Sequence, residues 1–200
     1  MMQIKNIIFD FGGVLVDWNP RHFYKNIFDN ELEMEFFLKN ICNDEWNQHQ
    51  DKGRSFAEGI EILVKQFPDY ETNIKLYFNN WESMLNGEIV ENARILKLLK
   101  GKYRLFGLTN WSAETFPVAL KKFSFFNEFE AIVVSGQEKM IKPDKEIFYL
   151  ILNRYKLKAE ESVFIDDNFD NIITAKEIGF HSIHLNNNNL EKELIKRNIL

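Results

Sequence analysis

Four short stretches of the chain carry residue types able to act together on one substrate: Asp10, Thr109-Asn110, Lys142-Pro143 and Asp166-Asp167. Three carboxylates brought to one point repel one another and need a cation between them. Oxygen-only ligands select a hard ion, and Mg2+ commonly takes a few carboxylates with waters and a substrate phosphate. A lysine and a hydroxyl beside such an ion complement an anionic group. Gly12 and Gly13, just after Asp10, let backbone amides approach that anion closely. A carboxylate can also attack as a nucleophile and form an acyl-type intermediate. The combination points to phosphoryl transfer onto Asp10 followed by hydrolysis. Taken singly, each stretch has a plainer use. Asp after a strand is commonly a turn residue, Asp166-Asp167-Asn168 and Thr109-Asn110 could cap the helices that follow, and Lys142-Pro143 could be a helix-entry turn. Their occurrence together, at successive strand ends, carries the reading.

The elements that must position these residues follow from hydrophobic patterning. Residues 4–9 form a short apolar run that stops at Asp10 and Gly12-Gly13, the pattern of a buried strand ending at a turn. From about Pro20 to Leu85 apolar residues recur at helical spacing, with helices expected over 31–41, 56–67 and 74–85 and no strand. After Gly87 the two periods alternate. Helices are expected over 92–99, 113–123, 145–155, 171–178 and 190–196, and strands over 103–108, 131–134, 162–165 and 181–185. This order predicts an α/β fold: a doubly wound parallel-sheet core, residues 1–17 and 88–200, with an inserted all-helical lobe, residues 18–87. In open parallel sheets ligands bind beyond the carboxyl ends of the strands. Asp10, Thr109-Asn110, Ser135-Gly136 and Asp166-Asp167 all follow strands, so one face of the core gathers them.

Composition narrows the partners. Of 200 residues 45% are hydrophobic and 28% charged, which fits a soluble globular protein and excludes disorder and collagen-like structure. A formal net charge of −5 argues against a general binder of nucleic acid or anionic membranes, so an anionic substrate must be held by a local site. Cys42 is the only cysteine, which rules out an intramolecular disulfide and suits a cytoplasmic protein; its plain reading is a small buried apolar residue. Asp10 and Asp17 interrupt the N-terminal apolar run, unlike a signal peptide, and no stretch approaches the ~20 apolar residues of a membrane helix. Asn186 to Asn189 is a low-complexity patch expected in a surface loop. No internal repeat, heptad or self-complementary patch is visible, so monomer and homodimer both stand.

These residues together resemble the haloacid dehalogenase superfamily, most of whose members are Mg2+-dependent phosphatases. The motifs are Ile8-Phe9-Asp10-Phe11-Gly12-Gly13-Val14-Leu15, Leu108-Thr109-Asn110, Lys142-Pro143-Asp144 and Phe164-Ile165-Asp166-Asp167-Asn168, with Asn171-Ile172 following. The helical insert is similar to the family's cap in its small α-helical form. Within the superfamily the sequence looks most like the group of bacterial glucose-1-phosphate phosphatase and the N-terminal domain of mammalian epoxide hydrolase. The resemblance implies that Asp10 is the nucleophile and a Mg2+ ligand. It implies further metal ligands in the Gly12 carbonyl, Asp166 and Asp167. Thr109, Asn110 and the backbone amides of Phe11 and Gly12 would bind phosphoryl oxygens, and Lys142 would neutralise charge between nucleophile and phosphoryl group.

The family's phosphatases usually carry a second Asp two residues after the nucleophile, which protonates the leaving alcohol and later activates water. Here that position is Gly12, and the Thr often found four residues after the nucleophile is Val14. General acid–base catalysis is typically worth ~10²–10⁴-fold, so the loss matters most for an alkoxide leaving group. Four explanations compete. The substrate has a good leaving group, such as an anomeric sugar phosphate. Another residue protonates it, Asp17 in the hinge being one candidate. The reaction is halide hydrolysis, which needs no metal and uses a cap arginine, with Arg21 and Arg54 available. Or the chain only binds a phosphorylated metabolite. The reading that follows is a Mg2+-dependent phosphatase of a small organic phosphate monoester, for example a hexose 1-phosphate. Trp18, His22, Trp46 and His49 are the cap-side candidates for substrate contact, and His181 and His184 carry no role.

Overall fold

In the computed structural model, residues 3–186 and 189–200 are described. Five parallel strands form the central sheet: β1 (Asn6–Phe9), β4 (Arg104–Thr109), β5 (Ala131–Val134), β6 (Ser162–Asp166) and β7 (His181–His184), in the order β5-β4-β1-β6-β7. Two further strands, β2 (Val16–Trp18) and β3 (Leu85–Glu88), pair antiparallel as a separate ribbon. Between them lie α1 (Arg21–Tyr24), α2 (Glu31–Asn40), α3 (Asp44–Asp51), α4 (Phe56–Gln66) and α5 (Glu71–Asn79). The core helices are α6 (Val90–Leu99), α7 (Phe116–Lys122), α8 (Ser135–Glu138), α9 (Lys145–Tyr155), α10 (Phe169–Ile178) and α11 (Leu190–Lys196).

Near-continuous apolar runs make the sheet strands buried on both faces, as a parallel sheet requires. Ile8, Phe106, Leu108 and Phe164 pack against α9 and α10 residues such as Phe148, Ile151 and Ile172. The alternate residues Ile7, Phe9, Leu105 and Ile165 join α6 and α11 on the other face. That second cluster runs on into the helical lobe through Tyr24, Phe37, Trp46, Phe56 and Tyr77, so lobe and core share a hydrophobic interior.

The structure differs from the patterning at four places. The ribbon β2–β3 has strands of three and four residues, too short for alternation to register above noise. The helix expected over 74–85 stops at Asn79; a 3-10 turn at Trp81–Met84 then swings the chain into β3. Helix α3 is polar enough to lack an apolar stripe, burying Trp46 and Gln50, and is started by the Asn43 side chain accepting from the Trp46 N–H. Helix α7 begins at Phe116, three residues late, because the Ser112 side chain accepts from the Glu114 N–H and closes a turn first. Asn187 and Asn188 of the asparagine run lie outside the described residues.

Candidate active site

Register places the chemistry. Central β1 has β4 and β6 as its neighbours, with Phe9 opposite Gly107 on one and Ile165 on the other. Asp10 therefore leaves the sheet level with the ends of β4 and β6, and its N–H still donates to the Ile165 carbonyl at 2.9 Å. The turn beyond it is drawn tight: the N–H groups of Val14, Leu15 and Val16 all donate to the Phe11 carbonyl. Gly13 sits at φ 67°, and a Cβ there would stand 2.2 Å from Asp167 Oδ2. Only glycine lets this turn lie against Asp167. The Phe11 ring is fully buried against Phe116, Phe126 and Phe129, so what Phe11 offers the site is backbone.

Lys142, 2% exposed, reaches between two strand ends. Its Nζ stands 3.0 Å from Asp10 Oδ1 and 2.6 Å from Asp166 Oδ2. Asp166 is fully buried and also accepts from the Asn168 N–H at 2.8 Å and from Asn171 Nδ2 at 3.1 and 3.0 Å. Asn168 caps α10, which is what brings Asn171 one turn later onto that carboxylate. Carboxylate oxygens of Asp10, Asp166 and Asp167 lie within 4.8 Å of one another. Burial pushes the Asp10 carboxyl well above its ordinary range; Lys142 opposes the shift, while Asp166 and Asp167 add to it. Asp167 is likewise raised, by burial and by Asp166. Burial works against the charge of Lys142, but Asp10 and Asp166 outweigh it and hold the ammonium firmly protonated. This oxygen-only set is crowded and short of positive charge, which fits a hard divalent cation. Among the described residues, the buried Thr109 hydroxyl, at the end of β4, has no hydrogen-bond partner.

Asn110, expected to bind phosphate, and Ser135, expected only on the same face of the core, both hydrogen-bond to neighbouring backbone. The Asn110 side chain exchanges hydrogen bonds with the Lys142 backbone, donating to its carbonyl and accepting from its N–H, both at 2.9 Å. It thereby fixes the loop that delivers the lysine. Ser135 turns away from the carboxylates; its Oγ donates to the Asp51 carbonyl at 2.5 Å and accepts from the Trp111 N–H.

Under the lobe is a cavity of about 60 Å³, lined among others by Gly12, Trp18, Asp51, Phe56, Trp81 and Trp111. The lining draws on the lobe through Trp18, Asp51, Phe56 and Trp81 and on the core through Gly12 and Trp111. Of the four cap-side candidates Trp18, His22, Trp46 and His49, Trp18 lines the cavity. His22 binds Asp17 at 3.0 Å, Trp46 donates to the Gly59 carbonyl inside the lobe, and His49 is exposed on α3. Arg21 is paired with Glu35, and Arg54 donates to Gln50 and to the Trp46 carbonyl, so neither guanidinium is aimed at Asp10. Asp17 is engaged within the β2–β3 ribbon: Asn86 and His22 both donate to it and hold its carboxyl below the usual range. His184, to which the sequence assigns no role, donates from Nε2 to the Asp167 carbonyl at 2.9 Å. Patterning missed Asp51 and Glu114. Neither follows a core strand directly, and their sequence neighbours are polar. Asp51 closes the unexpected helix α3 and lines the cavity. Glu114 accepts from the Phe56 N–H at 2.6 Å, joining the core to the first turn of α4.

The sequence profile of haloacid dehalogenase-like hydrolases matches residues 7–185, from β1 through β7. The chain is a haloacid dehalogenase-like hydrolase. Among its relatives, a sesquiterpene phosphatase from Aspergillus oryzae is 28% identical over 182 residues, covering 90% of this hydrolase and 89% of the relative. A D-ribitol-5-phosphate phosphatase from Bacteroides thetaiotaomicron is 24% identical over 204 residues, covering 92% and 93%. A family enzyme from the same bacterium, solved with magnesium and inorganic phosphate, superposes with a TM-score of 0.68 at 26% identity, covering 90% of this hydrolase and 93% of that chain. Among the described residues of the hydrolase, no helix is long and apolar enough to cross a membrane.

Proposed function

We propose that this hydrolase is a Mg2+-dependent phosphatase of small organic phosphate monoesters, working through an aspartyl-phosphate on Asp10. Residues 18–87 act as a cap over the core of residues 1–17 and 88–200. The observation that carries the reading is Lys142 Nζ held between Asp10 and Asp166, beside three carboxylates crowded within 4.8 Å. Asp10, the Gly12 carbonyl, Asp166 and Asp167 would hold the ion, and a bound Mg2+ supplies positive charge for the carboxylates and the phosphoryl oxygens.

The remaining work falls to the chain. Asp10 attacks phosphorus, oriented by Lys142 and by its own place at the end of β1. Lys142 offsets the charge shared between nucleophile and phosphoryl group. The unpartnered Thr109 hydroxyl donates to a phosphoryl oxygen, and the backbone amides of Phe11 and Gly12 line the turn that receives the others. Asn110 keeps Lys142 in position. Water then hydrolyses the aspartyl-phosphate. Arg21 and Arg54 are engaged elsewhere, which speaks against halide hydrolysis through a cap arginine. Trp18, Phe56, Trp81 and Trp111 favour a leaving alcohol with an apolar face, a description that covers aryl and hydrocarbon phosphates and the C–H face of a sugar 1-phosphate. A relative named as a sesquiterpene phosphatase supports a hydrocarbon leaving group. The buried free thiol of Cys42 accords with a reducing, cytoplasmic setting.

The test is phosphate release from an aryl phosphate, glucose 1-phosphate and glucose 6-phosphate, with Mg2+ and with EDTA. Release in Mg2+, abolished by EDTA and by Asp10→Asn, is the expected result. Undiminished turnover in EDTA, or no release from any of the three, defeats the reading.

A further inference from the structure

We propose that Asp51, carried into the site by the cap, is the general acid and base of this phosphatase, taking the role that Gly12 leaves vacant. The inference rests on the phosphatase reading above. A Cβ built on Gly12 would meet nothing within 4 Å, so the position beside the nucleophile is open toward the cavity. Asp51 lines that same cavity from the opposite side of the molecule's hinge, and it is the only titratable side chain among the cavity's lining residues.

Its placement is built. It is the last residue of α3, and its carbonyl accepts from Ser135 Oγ on the core at 2.5 Å. Lys52, next in the chain, pairs outward with Asp144 of the core at 3.2 Å. The Asp51 carboxyl itself accepts from Asn47 Nδ2 at 3.1 Å, and the Ser112 amide favours its charged form. The rival donor, Asp17, already accepts from Asn86 and His22, and both hold it in the ionised form.

The groups around Asp51 favour a carboxyl that keeps its proton near neutrality. Burial raises it to about 7; the Ser112 amide after β4 opposes the shift, and the charge of Asp10 at the end of β1 adds to it. From α5 the buried Tyr77 hydroxyl faces the same region, and from α3 itself Asn47 does.

The two half-reactions balance. As Asp10 Oδ bonds to phosphorus, the ester P–O bond breaks and its electron pair goes to the alcohol oxygen. That oxygen takes the Asp51 proton and departs as neutral alcohol. Asp51, now a carboxylate, accepts a proton from water as the water oxygen bonds to phosphorus. The P–O bond to Asp10 breaks, its electron pair returns to the Asp10 carboxylate, and phosphate leaves with Asp51 protonated as at the start. Because the acid belongs to the cap, the proton is in place only when the cap is closed, which couples closure to chemistry.

The test compares wild type, Asp51→Asn and Asp51→Glu in Mg2+ on an aryl phosphate and a simple alkyl phosphate, from pH 5 to 9. The readout is kcat/KM, which reports phosphoryl transfer for both esters. An aryl oxide leaves unaided, whereas an alkoxide needs the proton. Asp51→Asn is expected to lose ~10²–10³-fold on the alkyl ester and less than ~10-fold on the aryl ester. Its retained aryl activity shows that the site is folded. In wild type the alkyl rate declines above about pH 7, as Asp51 loses its proton. Asp51→Asn abolishes that decline, and Asp51→Glu recovers part of the alkyl rate. An alkyl-to-aryl ratio unchanged by Asp51→Asn overturns the assignment while leaving the phosphatase reading intact. A wild type that releases phosphate from neither ester overturns both.

Discussion

Lys142 is an ammonium buried to 2% exposure, held there by Asp10 at 3.0 Å and Asp166 at 2.6 Å. Such a group is costly to desolvate, and it is stable because two carboxylates and a fixed loop surround it. Taking away one partner of a buried ionic set leaves uncompensated charge, which costs about 3–5 kcal/mol. Lys142→Ala should therefore lower the urea midpoint of the hydrolase at neutral pH and cut phosphate release by ~10³-fold. Denaturation followed by tryptophan fluorescence reads the first effect and the phosphate assay the second. A variant of wild-type stability would mean that water or an ion replaces the ammonium without cost. Asn171, Asn168 and Asn110 support the same centre: two donate to Asp166 and the third holds the Lys142 backbone.

At the scale of elements, the proposed cap would meet the core through a hinge and a set of polar latches. The hinge is the β2–β3 ribbon, tied by Asp17, Asn86 and His22. The latches are Glu114 on the N-terminal amide of α4, Ser135 on the last carbonyl of α3, and Lys52 on Asp144. A carboxylate at a helix N-terminus gains from both the hydrogen bond and the helix dipole. A hydrogen bond to a charged group is worth about 1.5–3 kcal/mol, and 1.4 kcal/mol corresponds to tenfold in an equilibrium. Glu114→Ala should thus raise the open population of the cap by ~10-fold. Limited proteolysis at the Lys52–Ser55 junction, slow in wild type, should accelerate to match, while the melting temperature moves by only a few degrees. An unchanged cleavage rate would show that the other two latches suffice.

For the whole molecule, net charge and site charge act in one direction. A chain of net charge −5 concentrates three carboxylates at one end of its sheet, and folding without a cation leaves Asp10 and Asp167 raised above their ordinary range. An ion that binds the folded state alone stabilises it by about 2.7 kcal/mol at a hundredfold excess over its dissociation constant. For a chain of this size that is a rise in melting temperature of roughly 5–10 °C. Mg2+ should produce this rise in the wild type. Asp167→Asn should abolish most of it, and Gly13→Ala should reduce it, because its Cβ would push Asp167 aside. Equal shifts in all three proteins, followed by differential scanning fluorimetry, would remove Asp167 from the metal site.

The core is legible in the chain because its signals are local. An apolar run that ends in Asp, Thr or Asp-Asp marks a strand and its carboxyl end within a few residues, and parallel pairing brings those ends to one face whatever the loops do. Asp10, Lys142, Asp166 and Asp167 are thus recognisable from residue type and position along the chain, and the fold brings their side chains together, with Thr109 at the end of the neighbouring strand β4. The hinge ribbon, helix α3 and the engagement of Asp17 are not, since each depends on partners far along the chain. Asp17 meets Asn86 across 69 residues, and Ser135 meets Asp51 across 84. Asp51 sits in a polar stretch with no periodicity to distinguish it from any surface carboxylate. Only the folding of the cap onto the core surrounds it with Gly12, Trp111 and Ser112, and burial there gives an ordinary carboxyl the proton affinity of an acid catalyst.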